Sequence, residues 1–211
     1  MNKNNLKSSL LQDDAKYVNS NINLEAFEGK KITITGATGL VGLNIISALV
    51  FYNNNFANIP IHINALSFSK PQFFFQEFFQ KNKINIFYGD LCDSKFISKS
   101  PFTDYLIHCA GYGQPGKFLE DKIKTIAINT SATIELTKKL NQNGKLLFLS
   151  TSEIYSGCLS NNHLETDIGN TDPSHPRACY IEGKRTGEAI VNALRENGIN
   201  AVSARLSLAY G

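Results

Sequence analysis

The chain lacks any apolar run long enough to cross a membrane. Its longest apolar region, residues 39–52, is interrupted by Asn44 and Ser47 and falls short of the ~20 residues that a span requires. Paired cysteines are also missing. Cys92, Cys109, Cys158 and Cys179 lie far apart with no CxxC spacing, which argues against a zinc or other metal site and for reduced thiols in a cytoplasmic protein. No single sign of charge prevails. Twenty-one Lys and Arg face 18 Asp and Glu, a net charge of +3, without a basic run or a basic patch interleaved with aromatics. That balance argues against nucleic acid as a partner. The opening residues, MNKNNLKSSLLQDD, contain no sustained apolar core, so they do not read as a secretory signal. What is present, 211 residues with 42% apolar and 18% charged content, suits a soluble globular domain with an appendage.

The stretch that organises the chain is KITITGATGLVG, Lys31 to Gly42. Ile32, Thr33, Ile34 and Thr35 favour a buried strand, because branched side chains pack well on a pleated surface. Gly36, Gly39 and Gly42 follow at intervals of three. In that pattern the first glycine permits a sharp turn, the second lets the backbone approach a phosphate, and the third lets the next helix pack tightly on the strand. A pyrophosphate would sit on the unpaired N–H groups at the helix N-terminus. The triplet follows an expected strand and opens an expected helix, Leu40 to Tyr52, which is the context a dinucleotide site requires.

Along the chain, residues 1–28 read as an extension, frayed over 1–10 and with a short helix over Asp13–Ser20. Residues 29–211 read as an NAD(P)-binding domain. Strands are expected at 31–35, 61–68, 84–88, 105–108, 145–149 and 200–205. Helices are expected at 40–52, 118–141 and 178–197, with a loop over 156–176. PQFFFQEFFQ, residues 71–80, reads as a further helix whose Phe74, Phe75, Phe78 and Phe79 pack on the sheet, with Phe73 partly aside. Strands alternating with helices predict an α/β fold, a doubly wound, Rossmann-like parallel sheet. Ligands of such sheets bind beyond the carboxyl ends of the strands. The glycine turn, Gly89-Asp90, Cys109 to Gly113 and Ser150 to Glu153 all fall at those ends and should share one crevice.

The last long helix carries Tyr180 and Lys184 in YIEGK. Four residues is just over one turn, so both side chains lie on one face. A free tyrosine titrates near pH ~10, and a nearby ammonium favours its phenolate. Tyr180 could then exchange a proton with a hydroxyl while hydride leaves the same carbon. His108 reads as a core histidine at a strand end, and His163 and His175 as loop residues without a motif.

Together these motifs resemble the extended short-chain dehydrogenase/reductase family, in its NAD-dependent epimerase/dehydratase group. GATGLVG matches the group's GxxGxxG spacing, STSEIYSG its segment S-[ST]-x-x-x-Y-G, and YIEGK its catalytic pair. ARLSLAYG resembles the strand and turn before its substrate lobe. HPRACYIEGKR with STSEIY looks most like UDP-glucuronate decarboxylases. The resemblance implies transient C4 oxidation of a nucleotide sugar, followed by epimerisation, elimination or, as the favoured subtype, decarboxylation. A non-catalytic dinucleotide-binding domain and a simple NADPH-dependent reductase stand as alternatives. It makes Tyr180 the acid/base and Lys184 the residue that holds the nicotinamide ribose and lowers the Tyr180 pKa. Thr151 would bond the reacting oxygen. Glu153 would serve after oxidation, or else act as a solvated or capping carboxylate. Ser152 stands where 4,6-dehydratases of the group carry an aspartate, and Arg177 would order the loop before Tyr180. The cofactor would run past Gly36, Thr38, Gly39, Leu40, Val41 and Gly42, then past Cys109, Ala110 and Gly111, with Asp90 and Leu91 at the adenine. A homodimer would form through the helices near 118–141 and 178–197.

Two departures from the group stand out. The end of strand 2 reads ALSFSK, with no acid to grip ribose hydroxyls. Ser67, Ser69 and Lys70 could instead accept a 2′-phosphate, so NADP stands as the alternative to NAD. Members also continue for roughly another hundred residues as a C-terminal lobe that grips the nucleotide sugar (implied by the resemblance), a lobe expected to be missing beyond Gly211.

Overall fold

A computed structural model describes residues 3–113, 115–159, 162–207 and 209. Six strands form its sheet: β1 (Lys31–Thr35), β2 (His62–Ser67), β3 (Asn85–Tyr88), β4 (Thr103–His108), β5 (Leu140–Thr151) and β6 (Asn200–Leu206). They lie in the order β3-β2-β1-β4-β5-β6, and every pair is parallel. The order reverses between β1 and β4, the switch point at which such sheets open a crevice. The helices are α1 (Lys3–Asn21), α2 (Leu40–Asn55), α3 (Phe73–Lys81), α4 (Ser94–Lys99), α5 (Pro115–Glu120), α6 (Lys122–Asn129), α7 (Ser131–Thr137) and α8 (Ala178–Glu196).

Alternation along the strands divides the core between the two faces. Ile32 and Ile34 of β1 pack with Ile63 and Ala65 of β2, Ile46, Leu49 and Val50 of α2, and Phe79 of α3. Across the sheet, Leu106, Leu146, Phe148 and Ala201 pack with Ala132 and Leu136 of α7 and Val191 of α8. The phenylalanine-rich helix packs on the sheet as its pattern predicts. Phe79 is buried, Phe75 and Phe78 lie against the first cluster, and Phe73 stays exposed.

Three segments correct the sequence expectations. The N-terminal helix begins at Lys3 rather than Asp13, so the region expected to fray is helical. Polar contacts dock it on α2: Asn19 donates to Ala48 O at 3.0 Å, and Ser47 donates to Leu11 O at 3.1 Å. These long-range bonds leave no apolar periodicity to read. The single helix expected over 118–141 is three helices followed by the start of β5. Asp121 caps α6 by accepting from Lys124 N, and Thr130, with φ −117° and ψ −86°, separates α6 from α7. Asn143 and Gly144, expected to end that helix, lie inside β5. There Asn143 takes φ 63° and the register with β4 shifts between Thr103 and Tyr105. Helix α4 has a local signal that was passed over, an Asp93 side chain accepting from Lys95 N at 2.9 Å.

His108, fully buried at the end of β4, is a core histidine as expected. Its Nε2 lies 3.0 Å from Ile128 O, which can only accept, so Nε2 carries the proton. Nδ1 then accepts from the Thr35 hydroxyl at 2.7 Å, and Thr35 Oγ1 in turn accepts from Ala110 N at 3.0 Å. Burial, with help from the Lys184 charge, pushes the imidazole down to about 4. Below pH 6.5 the unfolded chain takes up a proton that the folded chain refuses until about pH 4. His108 therefore withdraws about 3 kcal/mol of stability as pH falls through that window. Urea midpoints measured from pH 7 to 4 should fall accordingly, and His108→Asn, less stable at pH 7, should show a visibly shallower fall.

Candidate active site

The glycine turn is set by how closely β1 and β4 approach. Gly36 has φ +64°, and a Cβ there would stand 2.9 Å from the Ala110 backbone. At Gly42 a Cβ would stand 2.4 Å from Gly36 O, so only glycine lets α2 rise from the turn. No side chain caps the first turn of α2. Its free N–H groups face the crevice end, and this cradle fits a pyrophosphate. Ala37 N donates to Leu66 O at 3.2 Å, and Thr38 Oγ1 lies 3.4 Å from Ser67 Oγ, which fixes the turn against the end of β2. Leu40 and Val41 open α2, with Leu40 exposed.

Across the switch point, Cys109, Ala110 and Gly111 run directly above Lys184. A Cβ built on Gly111 would meet only Lys184 Nζ at 3.6 Å and Asn129 Oδ1 at 3.8 Å, so this backbone is otherwise open. Lys184 is 5% exposed. Its ammonium donates to Leu149 O at 2.6 Å and lies 4.8 Å from the centre of the Phe148 ring. Burial pulls it down to about 8. The Cys109 thiol, partly buried, is pushed up to about 12 by desolvation.

Tyr180 lies one turn before Lys184 on α8, its ring stacked on Phe118 at 4.8 Å and 10°. Thr151, the last residue of β5, lies near its phenol. Burial raises the phenol above its ordinary pKa and Glu153 adds to that, while Thr151 and Arg177 pull it down. The expected lowering by Lys184 is not what the structure shows. Nζ turns to Leu149 O, and its charge acts on Cys109 and His108 instead. Glu153 is neither free nor merely a cap: it forms an ion pair with Arg177, whose guanidinium lies 5.4 Å from the Phe118 ring centre. Arg177 thus ties the segment before Tyr180 to the end of β5. The Thr151 hydroxyl accepts from Glu153 N at 3.2 Å.

At the far end of the crevice, Asp90 receives Lys124 Nζ at 2.6 Å and Cys92 N at 2.9 Å. Burial alone would raise this carboxyl, but those two donors hold it below its ordinary value. Leu91 beside it is buried. Of the histidines without a motif, His163 stacks on Tyr155 at 4.7 Å, and His175 Nδ1 accepts from Arg177 N. Within ARLSLAYG, Arg205 pairs with Glu188, whereas Leu208, Tyr210 and Gly211 lie outside the described residues.

Two site residues escaped the sequence. Phe118 carries no motif. Asn129 is fully buried beneath Gly111, with Nδ2 bonded to Thr125 O and Oδ1 without a partner. Its only signal is a polar residue closing the apolar run IKTIAIN.

A model of the NAD dependent epimerase/dehydratase family matches residues 32–211. Among curated proteins, the chain is similar to UDP-glucuronic acid decarboxylase 1 of Xenopus tropicalis, at 27% identity over 86% of this chain and 42% of that protein. It is also similar to UDP-glucuronic acid decarboxylase 6 of Arabidopsis thaliana, at 26% identity over 86% of this chain and 51% of that protein. Among solved structures it shares its fold with a dTDP-glucose 4,6-dehydratase from Streptomyces venezuelae with NAD and TYD bound (TM-score 0.67, 16% identity, 83% of this chain and 55% of that one). A UDP-N-acetylglucosamine 4-epimerase from Methanobrevibacter ruminantium M1 is alike too (TM-score 0.63, 20% identity, 84% and 55%). The chain spans about half the length of the curated relatives it matches.

The buried ammonium gives a pH signature. From pH about 8 upward the folded chain sheds the Lys184 proton, while the unfolded chain holds it to its ordinary 10.5. Stability therefore rises with pH. Above pH 9 the Cys109 thiol, protonated in the fold to about 12, begins to oppose that rise. Thermal melts should show the midpoint increasing between pH 8 and 9, and Lys184→Met should remove that increase.

Proposed function

The chain belongs to the NAD dependent epimerase/dehydratase family, and we propose that its crevice oxidises C4 of a nucleotide sugar transiently, with decarboxylation of a UDP-uronic acid as the favoured sequel. The observation that carries this reading is the placement of Tyr180, with Thr151 close enough to lower its pKa, one helical turn before the buried Lys184. A nicotinamide dinucleotide bound along Gly36–Gly42 and Cys109–Gly111 supplies the hydride acceptor.

The protein's own groups do the rest. Phe118 fixes the plane of the Tyr180 ring, and Thr151 lies near its oxygen. A sugar hydroxyl between those two oxygens can pass its proton to Tyr180 as hydride leaves its carbon. Only the phenolate of Tyr180 can take that proton; burial holds the phenol above its usual pKa, so this form is scarce at neutral pH and the phenol's own proton must first leave to solvent. Lys184, held by Leu149 O beneath Gly111, offers its remaining N–H groups to a ribose above it. Once C4 is a ketone, a carboxylate on C5 can leave as CO2 with its electron pair taken by the carbonyl. On this reading the Arg177 guanidinium, paired with Glu153, is the cation offered to that carboxylate. The 26–27% identity to UDP-glucuronic acid decarboxylases supports this sequel over epimerisation or elimination. On this reading the exposed Ile123 and Ile126 of α6, which packs beside α8, lie in a homodimer contact.

Tyr180→Phe should lower kcat for release of CO2 from UDP-glucuronic acid by about 100-fold or more, while dinucleotide affinity stays within a few-fold. Full turnover by Tyr180→Phe would overturn the assignment.

A further inference from the structure

The end of β2 faces the glycine turn, as Thr38 beside Ser67 demonstrates. In a sheet of this kind that position meets the 2′ oxygen of the adenosine ribose. A carboxylate there grips a free hydroxyl, and a cation there accommodates a phosphate. Here Ser67-Phe68-Ser69-Lys70 contains no carboxylate. Ser67 is buried, and its hydroxyl donates to Ser69 O at 3.0 Å, which curls the segment back on itself. Phe68, Ser69 and Lys70 are exposed.

The fold brings a second cation to the same place. Lys124 comes from α6, across the switch point, and its Nζ lies 4.2 Å from the centre of the Phe68 ring. Asp90 holds it there at 2.6 Å. The Asp90 carboxylate is already engaged by that lysine and by Cys92 N, so it is not free to take ribose hydroxyls. Lys70 and Lys124 against Asp90 leave one positive charge in surplus beside the exposed Ser69 and an exposed aromatic face. Phosphate suits such donors, and an aromatic face beside a held cation suits a purine.

We propose that Ser69, Lys70 and Lys124, on the turn that Ser67 holds, form a subsite for a 2′-phosphate, so that this chain prefers NADP over NAD. The proposal rests on the dinucleotide reading above and specifies its adenosine end. Lys124 is the component that the ALSFSK segment alone does not contain.

Calorimetric titration of the 211-residue chain with NADP, NAD, 2′,5′-ADP and ADP tests it without turnover. NADP should bind at least ~10-fold more tightly than NAD, and 2′,5′-ADP should outbind ADP in the same sense. Lys70→Gln and Lys124→Gln should each shrink the NADP-to-NAD ratio by about threefold or more, and Ser67→Asp should reverse the preference. Thermal melts of each variant establish that it is folded. Tighter or equal binding of NAD, with the two ADP probes alike, would overturn the subsite and leave the dinucleotide reading intact. So would variants that weaken both dinucleotides in parallel. Binding of neither dinucleotide by folded protein would overturn both.

Discussion

The crevice depends on the close approach of the backbone just after β1 to the backbone just after β4. Gly36 sits against the Ala110 backbone where a single added carbon would stand 2.9 Å from main-chain atoms. The same approach is locked from below by hydrogen bonds that run from Ala110 N to Thr35, from Thr35 to His108, and from His108 to Ile128 O. The glycine turn after β1 and the Cys109–Gly111 segment after β4 are therefore parts of one rigid joint. Rigid elements position reacting groups better than loops do. Tyr180 and Lys184 reach the joint from α8, which packs tightly on β5 because Gly187 faces Phe148 with room for no side chain.

Burial sets the electrostatics around this joint. Neutral His108, the protonated Cys109 thiol and the depressed Lys184 ammonium all result from removing charge from water. The low-dielectric floor opposes a standing phenolate on Tyr180 as much as it opposes a standing charge on Lys184. Lys184 and the orphaned Asn129 Oδ1 below Gly111 are polar groups retained at the expense of stability. Such retention is typical of functional sites.

Much of this could be read in the sequence where local sterics dictate it. Glycines at a strand–helix turn, branched residues in β1, and a Tyr and a Lys one helical turn apart are short-range signals, and the sheet and the crevice follow from them. The features that escaped are long-range. The turns of α1 before Asp13 escaped, although the helix docks on α2 through side-chain bonds and the buried Ala15. The break after Glu120 depends on a cap at Asp121 that competes with a continuous helical pattern. The partner of Lys184 is a main-chain oxygen of β5, and the partner of Glu153 is an arginine 24 residues away. Such pairings exist only once the sheet has assembled.

The central claim is that a dinucleotide lies across the β1–β4 joint. Hydrogen–deuterium exchange read by mass spectrometry, with and without saturating dinucleotide, tests it most directly. Slowed exchange confined to peptides covering the glycine turn, the Cys109–Gly111 backbone and the end of β5 is the predicted result. Unchanged exchange in all of these, with protection elsewhere on the chain, would contradict it.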